Sequence, residues 1–344
     1  MSAIPAQPIG QSESFHALMD RVSNTASLDR PVIIVGERGT GKEMIASRLH
    51  FLSPRWEAQY IKVNCAAFSE DMLDRELFGE TFMDGREDTN GRFYEADGGT
   101  IFLDNIETLS PRLQEKLMRA VEYGEYEAGG ETETQQVDIH LITATGIDLP
   151  AAVARGEFRA DLIDRLAFDV ITLPPLRARR DDIAPLAEHF GRRISADLGA
   201  AVFPGFTPEA MVMLETSDWE GNVRELKAVI ERNVARAFLS DETLSQPISD
   251  LSFDPFDSPY RLRSDDTNPQ TPLNTTPQPQ ETVSTDNDEE DAQQSFSNRV
   301  MIFERRLIDE ALSQNEGHQG KAAAYLDLTY HSFRGLLRKH GLKK

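Results

Sequence analysis

The chain has 344 residues, 39% of them apolar, and a formal net charge of −22. This is long enough for two or three domains with a real core. It holds no apolar run able to span a membrane, and such acidity argues against non-specific nucleic-acid binding by the body of the chain. The N-terminus, MSAIPAQPIGQSESF, has neither the basic start nor the apolar stretch of a signal peptide, so a cytoplasmic protein is expected.

PVIIVG, residues 31–36, is a short β-branched run and reads as a strand. GERGTGKE, from Gly36 to Glu43, follows directly and opens the helical pattern KEMIASRLHFL. Glycines 36, 39 and 41 let the backbone fold around phosphate oxygens, with successive N–H groups and the helix N-terminus aimed at the anion. Glu37, Arg38 and Thr40 complete this cradle, and Lys42 supplies positive charge to the β- and γ-phosphates of a nucleotide. Such motifs usually end in a Ser or Thr that binds Mg²⁺; Glu43 stands there instead. The plainer alternative, a glycine-rich turn without a ligand, fits poorly with a strand before, a helix after and a lysine in place.

Trp56, in SPRWEAQ, lies among polar residues. Burial is the common fate of tryptophan, whereas an exposed one would suit a partner protein. YIKVNC, residues 60–65, is a second strand, and its lone Cys65 reads as a small buried residue in a reducing compartment. TIFLD delivers Asp104 to the end of a third, buried strand, as a candidate Mg²⁺ ligand; a turn or N-cap aspartate is the alternative. SPRLQEKLMRAVEYG reads as a helix and VDIHLITAT as a fourth strand, ending at Thr145. Alternation of strands and helices predicts an α/β fold with a parallel sheet covered on both faces. From about Pro175 only helical patterns follow, in DDIAPLAEHFGRRISADL, TPEAMVMLETSDW and NVRELKAVIERNVARAF. They predict a smaller helical lid.

Residues 253–298 hold six prolines and carry two Lys/Arg against ten Asp/Glu, with too little apolar matter to fold alone; they read as a flexible acidic linker. Residues 299–344 carry nine Lys/Arg against five Asp/Glu, a small basic module. FERRLIDEALSQN is an amphipathic first helix, GKAAAYLD a short second one packed through Ala323 and Leu326, and YHSFRGLLRKHG a third, capped by Thr329, that buries Phe333, Leu336 and Leu337. Its exposed face would present Tyr330, His331, Ser332, Arg334 and Arg338 to the bases and phosphates of double-stranded DNA. The alternative is a basic helix that docks on protein. The expected layout is an α/β nucleotide-binding subdomain over 1–172, a helical lid over 173–252, the linker, and a helix-turn-helix over 299–344.

The cradle, NCAAF, ELFG, GRFYEADGGTIFLD, FRADLIDRLAFDVITLPPLRAR and GNVRELK follow in an order and spacing that resemble the AAA+ domain of bacterial enhancer-binding proteins, the ATP-dependent activators of sigma-54 RNA polymerase. In that family Glu is usual at the position of Glu43. The likeness covers roughly residues 8–250, and the tail is similar to the family's Fis-like helix-turn-helix. No receiver or sensing domain is expected before Ile9, a layout similar to the branch that activates phage shock operons.

The resemblance implies a hexameric ring with Mg²⁺ and ATP bound at subunit interfaces. Arg159 and Arg165 of FRADLIDR would reach a neighbour's γ-phosphate as fingers, whereas taken alone they read as surface arginines pairing with Asp161 and Asp164. Arg224 matches the sensor II position, Thr145 matches sensor I with Gly146 where the family has Asn, and Asn64 matches a polar residue that couples the site to the ring. Control from outside the chain would fit an inhibitor of the PspA type acting at Trp56.

Two departures from the family pattern stand out. Asn105 replaces the Glu that orients and polarises the attacking water. An amide carries no charge and is a poor proton acceptor, and loss of such a base typically costs on the order of 10²–10⁴ in rate. The family's loop with GAFTGA at its tip, which grips sigma-54, is here ETFMDGREDTN, residues 80–90, about three residues shorter by spacing. Phe82 could stand for the motif's aromatic, while Met83 replaces its Thr. The reading is therefore a DNA-binding activator of sigma-54 polymerase with weakened ATP hydrolysis. The alternative is an ATP-binding regulator that does not engage sigma-54.

Overall fold

The computed structural model describes residues 8–81, 89–129, 134–258 and 260–261, and in the tail 305, 307–308, 311–313, 315, 318–326, 333 and 337. Two compact units divide the chain, Met1–Arg261 and Leu262–Lys344.

Among its described residues the first unit has nine strands, β1 (Val32–Val35), β2 (Tyr60–Asn64), β3 (Gly79–Glu80), β4 (Thr89–Asn90), β5 (Thr100–Asp104), β6 (Glu125–Tyr126), β7 (Gln135–Gln136), β8 (His140–Thr145) and β9 (Asp169–Thr172). Five of them form one sheet in the order β2-β5-β8-β1-β9, every pair parallel. Side chains alternate across it as strand geometry requires. In β5, Ile101 and Leu103 enter one core and Phe102 the other. The helices that cover the faces are α1 (Glu13–Ala26), α2 (Lys42–Leu52), α3 (Glu70–Phe78), α4 (Arg92–Glu95), α5 (Pro111–Tyr123), α6 (Leu149–Ala154) and α7 (Ala160–Leu166). Leu18, Val22, Ile45 and Leu49 of α1 and α2 pack on the Phe102 face. Leu73, Leu77, Leu113, Leu117 and Leu162 of α3, α5 and α7 pack on the other.

Local signals start and stop these helices. Ser110 caps α5 by accepting from the Leu113 amide at 3.4 Å, Pro111 sits where no N–H is missed, and Gly124 closes the helix with φ 66°. Ser12 caps α1 through the Phe15 amide at 3.2 Å. Several elements go beyond the sequence reading, α1 and β9 among them. α1 has an amphipathic pattern in a stretch rich in turn-forming residues, and β9 is an edge strand of only four residues, DVIT, beside β1.

The lid consists of α8 (Ile183–Asp197), α9 (Pro208–Thr216) and α10 (Asn222–Ser240) around a separate core that includes Leu186, Leu214, Trp219, Leu226 and Ile230. Its packing runs past residue 252, where the linker was expected to begin. Phe253 lies against Trp219 with ring centroids 5.7 Å apart, and Arg232 donates to the Phe253 carbonyl at 2.9 Å.

In the second unit, helix α11 (Gln319–Tyr325) corresponds to the expected second helix of the tail. Ile308, Ala311, Ala322, Ala323, Phe333 and Leu337 form its buried cluster, with Leu326 packed against it. Ala323, Leu326, Phe333 and Leu337 are among the positions the three-helix reading packs, while Thr329 and Leu336 lie outside the described residues. Among the described residues no helix is long and apolar enough to cross a membrane.

Leu103 is fully buried between two strands of the sheet and immediately precedes Asp104. Leu103→Ala is expected to cost about 2–5 kcal/mol, as large-to-small changes in a packed core do. A lowered urea midpoint in denaturation followed by circular dichroism checks it.

Candidate functional site

The parallel register brings one end of the sheet to a common edge. Asn64 pairs with Asp104, Asp104 with Ala144, and Val35 with Thr145. Ligands of open α/β sheets sit beyond the carboxyl ends of the strands, where the strand order reverses. Here the connection from β1 runs to the far edge strand β2, while that from β8 runs the other way, past β1 to β9, so the reversal falls between β1 and β8. Gly36 continues β1 at that point, and its amide donates to the Thr145 carbonyl at 3.2 Å.

The loop from Gly36 to Gly41 curls in front of α2. Gly41, with φ 107°, is the residue before the helix. The Lys42 ammonium donates to the carbonyls of Gly36 at 2.7 Å and Glu37 at 3.2 Å, so it lies across the mouth of the loop. Burial pushes the Lys42 amine below its usual value, while Asp104 and Glu107 hold it up. Asp104 shows the converse. Burial raises its carboxyl above the usual range and the Lys42 charge opposes this. The Thr40 hydroxyl donates to the Glu37 carbonyl at 2.8 Å. Glu43 pairs with Lys62 at 2.8 Å.

Asn105 takes a left-handed backbone, φ 57° and ψ 50°, which Asn tolerates better than most residues. Its side-chain amide donates to the Asn64 Oδ1 at 2.9 Å, and the same oxygen accepts from the Ala66 amide at 3.1 Å. The structure thus joins two residues that the sequence singled out for separate reasons. The turn that follows carries Glu107 back over the end of β8, where its Oε1 accepts from the Gly146 amide at 3.4 Å. Thr145 is buried, with its hydroxyl oxygen accepting from the Ile147 amide at 3.2 Å. Cys65 is also buried, and its thiol is pushed up to about 12, as expected for an inert small residue.

The lid closes on the cradle through polar contacts that sequence reasoning missed. Asn222, at φ 54°, donates to Glu37 Oε2 and to the Arg38 carbonyl, both at 3.1 Å. Its Oδ1 accepts from the Leu176 amide at 2.8 Å. Arg177 holds Glu37 by two bonds of 2.5 and 2.8 Å, and this pairing, aided by Asn222, lowers the Glu37 carboxyl to about 2. The contribution is present above the ordinary carboxylate range and fades as pH falls toward the depressed value; with both side chains over 40% exposed, solvent keeps it modest. Buried Arg179 donates to the Thr40 carbonyl at 3.0 Å, and beside it buried Asp182 accepts from the Ser12 amide at 2.7 Å. Arg224 is exposed on α10, and its Cβ lies 3.0 Å from where a Cβ on Gly39 would sit. The sequence signal for this clasp was the GN pair ahead of VRELK, a polar, turn-forming dipeptide at a helix start.

The other expected residues lie elsewhere. Arg159 precedes α7 and pairs with Asp161 at 2.7 Å, and Arg165 pairs with Glu122 of α5 at 2.6 Å, a partner the sequence did not suggest. Trp56 is 54% exposed. Phe82 and Met83 lie outside the described residues, as do Tyr330, His331, Ser332, Arg334 and Arg338. The base of the 80–90 insertion is a two-stranded ladder between β3 and β4.

Comparison with known proteins places three families along the chain. Residues 8–172 match the Sigma-54 interaction domain, 177–248 the AAA+ ATPase lid domain, and 300–340 the bacterial regulatory protein, Fis family. The chain is 45% identical over 335 residues to the Psp operon transcriptional activator of Escherichia coli K12, an overlap of 96% of this chain and 97% of that one. It belongs to the sigma-54-dependent transcriptional activators. It is also 44% identical over 241 residues to the transcriptional regulatory protein ZraR of Salmonella typhimurium, covering 69% of this chain and 54% of ZraR. Crystal structures of NtrX from Brucella abortus superpose with a TM-score of 0.66 at 25% identity, covering 97% of this chain and 69–70% of NtrX; one of them is a complex with ATP.

Gly39 has φ 81°, and a Cβ there would stand 2.2 Å from the Gly221 carbonyl of the lid. Gly39→Ala is expected to force cradle and lid apart at a cost of about 1–3 kcal/mol. A lowered thermal midpoint with the secondary structure intact checks it.

Proposed function

We propose that the chain is an ATP-dependent, DNA-binding activator that remodels sigma-54 RNA polymerase and hydrolyses ATP slowly. The observation that carries this is the Lys42 ammonium across the mouth of the cradle, resting on the carbonyls of Gly36 and Glu37, with Asp104 as its nearby counter-charge. A triphosphate fits there on chemical grounds. The Gly36–Gly41 loop leads into the N-terminus of α2, where backbone N–H groups favour an anion, Lys42 can leave its carbonyls for phosphate oxygens, and the half-buried Asp104 carboxylate gains from a cation beside it. Among the described residues no cluster of three or more His, Cys, Asp or Glu forms a cage for a metal. Magnesium would therefore arrive with the nucleotide, with Asp104 as its protein ligand. When bound, it offsets the charge of the phosphates.

The chain's own groups divide the remaining work. Gly36 to Glu43 orient the phosphates, Thr145 and Arg224 flank the γ-phosphate side, and Asn64 with Asn105 forms a neutral amide pair where a carboxylate would polarise water. Arg159, half-buried and paired with Asp161, and Arg165, exposed and paired with Glu122, would exchange those partners for a neighbour's nucleotide in a hexameric ring. Nucleotide-driven assembly would present the Phe82–Met83 loop to sigma-54, while the helix-turn-helix holds the complex on upstream double-stranded DNA through Tyr330, His331, Ser332, Arg334 and Arg338. We place the protein in the cytoplasm, in a phage shock response, under an inhibitor of the PspA type that docks on Trp56. If Trp56→Ala leaves inhibition intact, that docking site is wrong.

Asn105 favours a second reading, a regulator that binds ATP and DNA without remodelling the polymerase. Calorimetry and phosphate release, measured on the parent and on Asn105→Glu, separate the two. The first reading expects Mg·ATP uptake, slow turnover in the parent, and turnover raised by about tenfold or more in Asn105→Glu. No turnover in the parent with strong turnover in the variant supports the second reading. No uptake of Mg·ATP removes both.

A further inference from the structure

Four carboxylates stand near the phosphate end of the sheet, and three are committed. Glu37 is held by Arg177 and Asn222. Glu43 is paired with Lys62 on the outer side of α2. Asp104 accepts from the Asn105 amide at 3.1 Å and is the candidate ligand for a cation. Glu107 is different. Its Oε1 makes one long bond, 3.4 Å from the Gly146 amide, and its Oε2 is buried with no hydrogen-bond partner among the described residues.

A buried carboxylate oxygen without a donor is costly. An acid kept for packing or capping alone would be expected to place both oxygens on protein donors. The carboxylate also lies in the right neighbourhood. The point where a Cβ on Gly146 would sit is 3.9 Å from both Glu107 Oε1 and the Gly36 carbonyl, and that carbonyl is the one that holds Lys42. The absence of a side chain at Gly146 leaves this space open. Charge–charge coupling to both Lys42 and Asp104 agrees with the placement.

We propose that Glu107 is the carboxylate that positions and deprotonates the attacking water, in the role that the Asn105 amide cannot fill. This rests on the nucleotide reading given above. In the step, a water O–H bond breaks and its proton passes to the Glu107 carboxylate. The water oxygen bonds to the γ-phosphorus, the bond from that phosphorus to the β,γ-bridging oxygen breaks, and ADP leaves with the electron pair. The proton returns to solvent as orthophosphate departs. The backbone supports this assignment. The left-handed turn at Asn105 is followed by the tight turn Ile106–Thr108, which swings Glu107 back across the ends of β5 and β8.

The test uses the full-length chain, with ATP binding by calorimetry and phosphate release read side by side. Glu107→Gln is expected to lower phosphate release by about 10² or more, with nucleotide affinity changed by less than about threefold, since a group that acts in the transition state contributes little to ground-state binding. In an Asn105→Glu background, where a second base is present, Glu107→Gln should cost less than about tenfold, because two groups sharing one role are not additive. Glu107→Asp, which keeps the carboxylate, should fall between the parent and the amide. An unchanged rate in Glu107→Gln overturns the proposal. So does an equal loss in both backgrounds, which marks a structural role, and so does a parent that binds ATP yet releases no phosphate; in that case nucleotide binding still stands. A parent that binds no ATP removes the nucleotide reading itself and Glu107's role with it.

Discussion

The registration of four parallel strands is the constraint on which the rest depends. Backbone pairing of β2 with β5, β5 with β8 and β8 with β1 sets Asn64, Asp104, Thr145 and the start of the phosphate loop along one edge. No side-chain contact could do this alone, since a slip of one residue would turn every side chain to the opposite face. It would send Phe102 into the core of α3 and α5 and bring Leu103 against α1 and α2. The two apolar cores therefore enforce the alignment of polar groups at the strand ends. That is how burial far from the site controls its chemistry.

At this edge the charges are arranged by neighbourhood more than by contact. Among the described residues Lys42 makes no ion pair; it rests on two carbonyls and feels Asp104 and Glu107 through a partly dry space. Burial works against both Lys42 and Asp104 in their charged forms, so each is stabilised by the other. Such a pair is poised to receive a ligand that carries both signs, an anion with its cation. The amide pair of Asn64 and Asn105 beside it adds shape and a hydrogen bond without adding charge.

Much of this was legible in the sequence. PVIIV, TIFLD and HLITAT became strands because β-branched, apolar runs fit a sheet covered on both sides, and α5 begins and ends where Ser110, Pro111 and Gly124 said it should. Of the buried positions of the tail, Ala323, Phe333 and Leu337 followed from helical spacing. What stayed hidden depends on proximity in space. Arg177 and Asn222 read as ordinary polar residues of a loop and a helix start, and only folding brings them to Glu37. Arg165 found Glu122 across two helices in place of a neighbour on its own turn. Glu107 stands only two residues beyond Asn105, yet the left-handed bend that aims it lies in backbone angles that the letters do not spell out.

The lid grips the main-chain oxygens of the cradle itself. Asn222 donates to the carbonyl of Arg38, Arg179 to that of Thr40, and the Val223 amide to that of Gly39 at 3.1 Å. A loop seized by its backbone cannot change its curvature privately. Whatever tightens or slackens it, including the filling or emptying of the turn, is transmitted as torque on α10, a rod of 19 residues. At about 1.5 Å per residue that rod is nearly 30 Å long. Small displacements at its root therefore become several-fold larger at its tip.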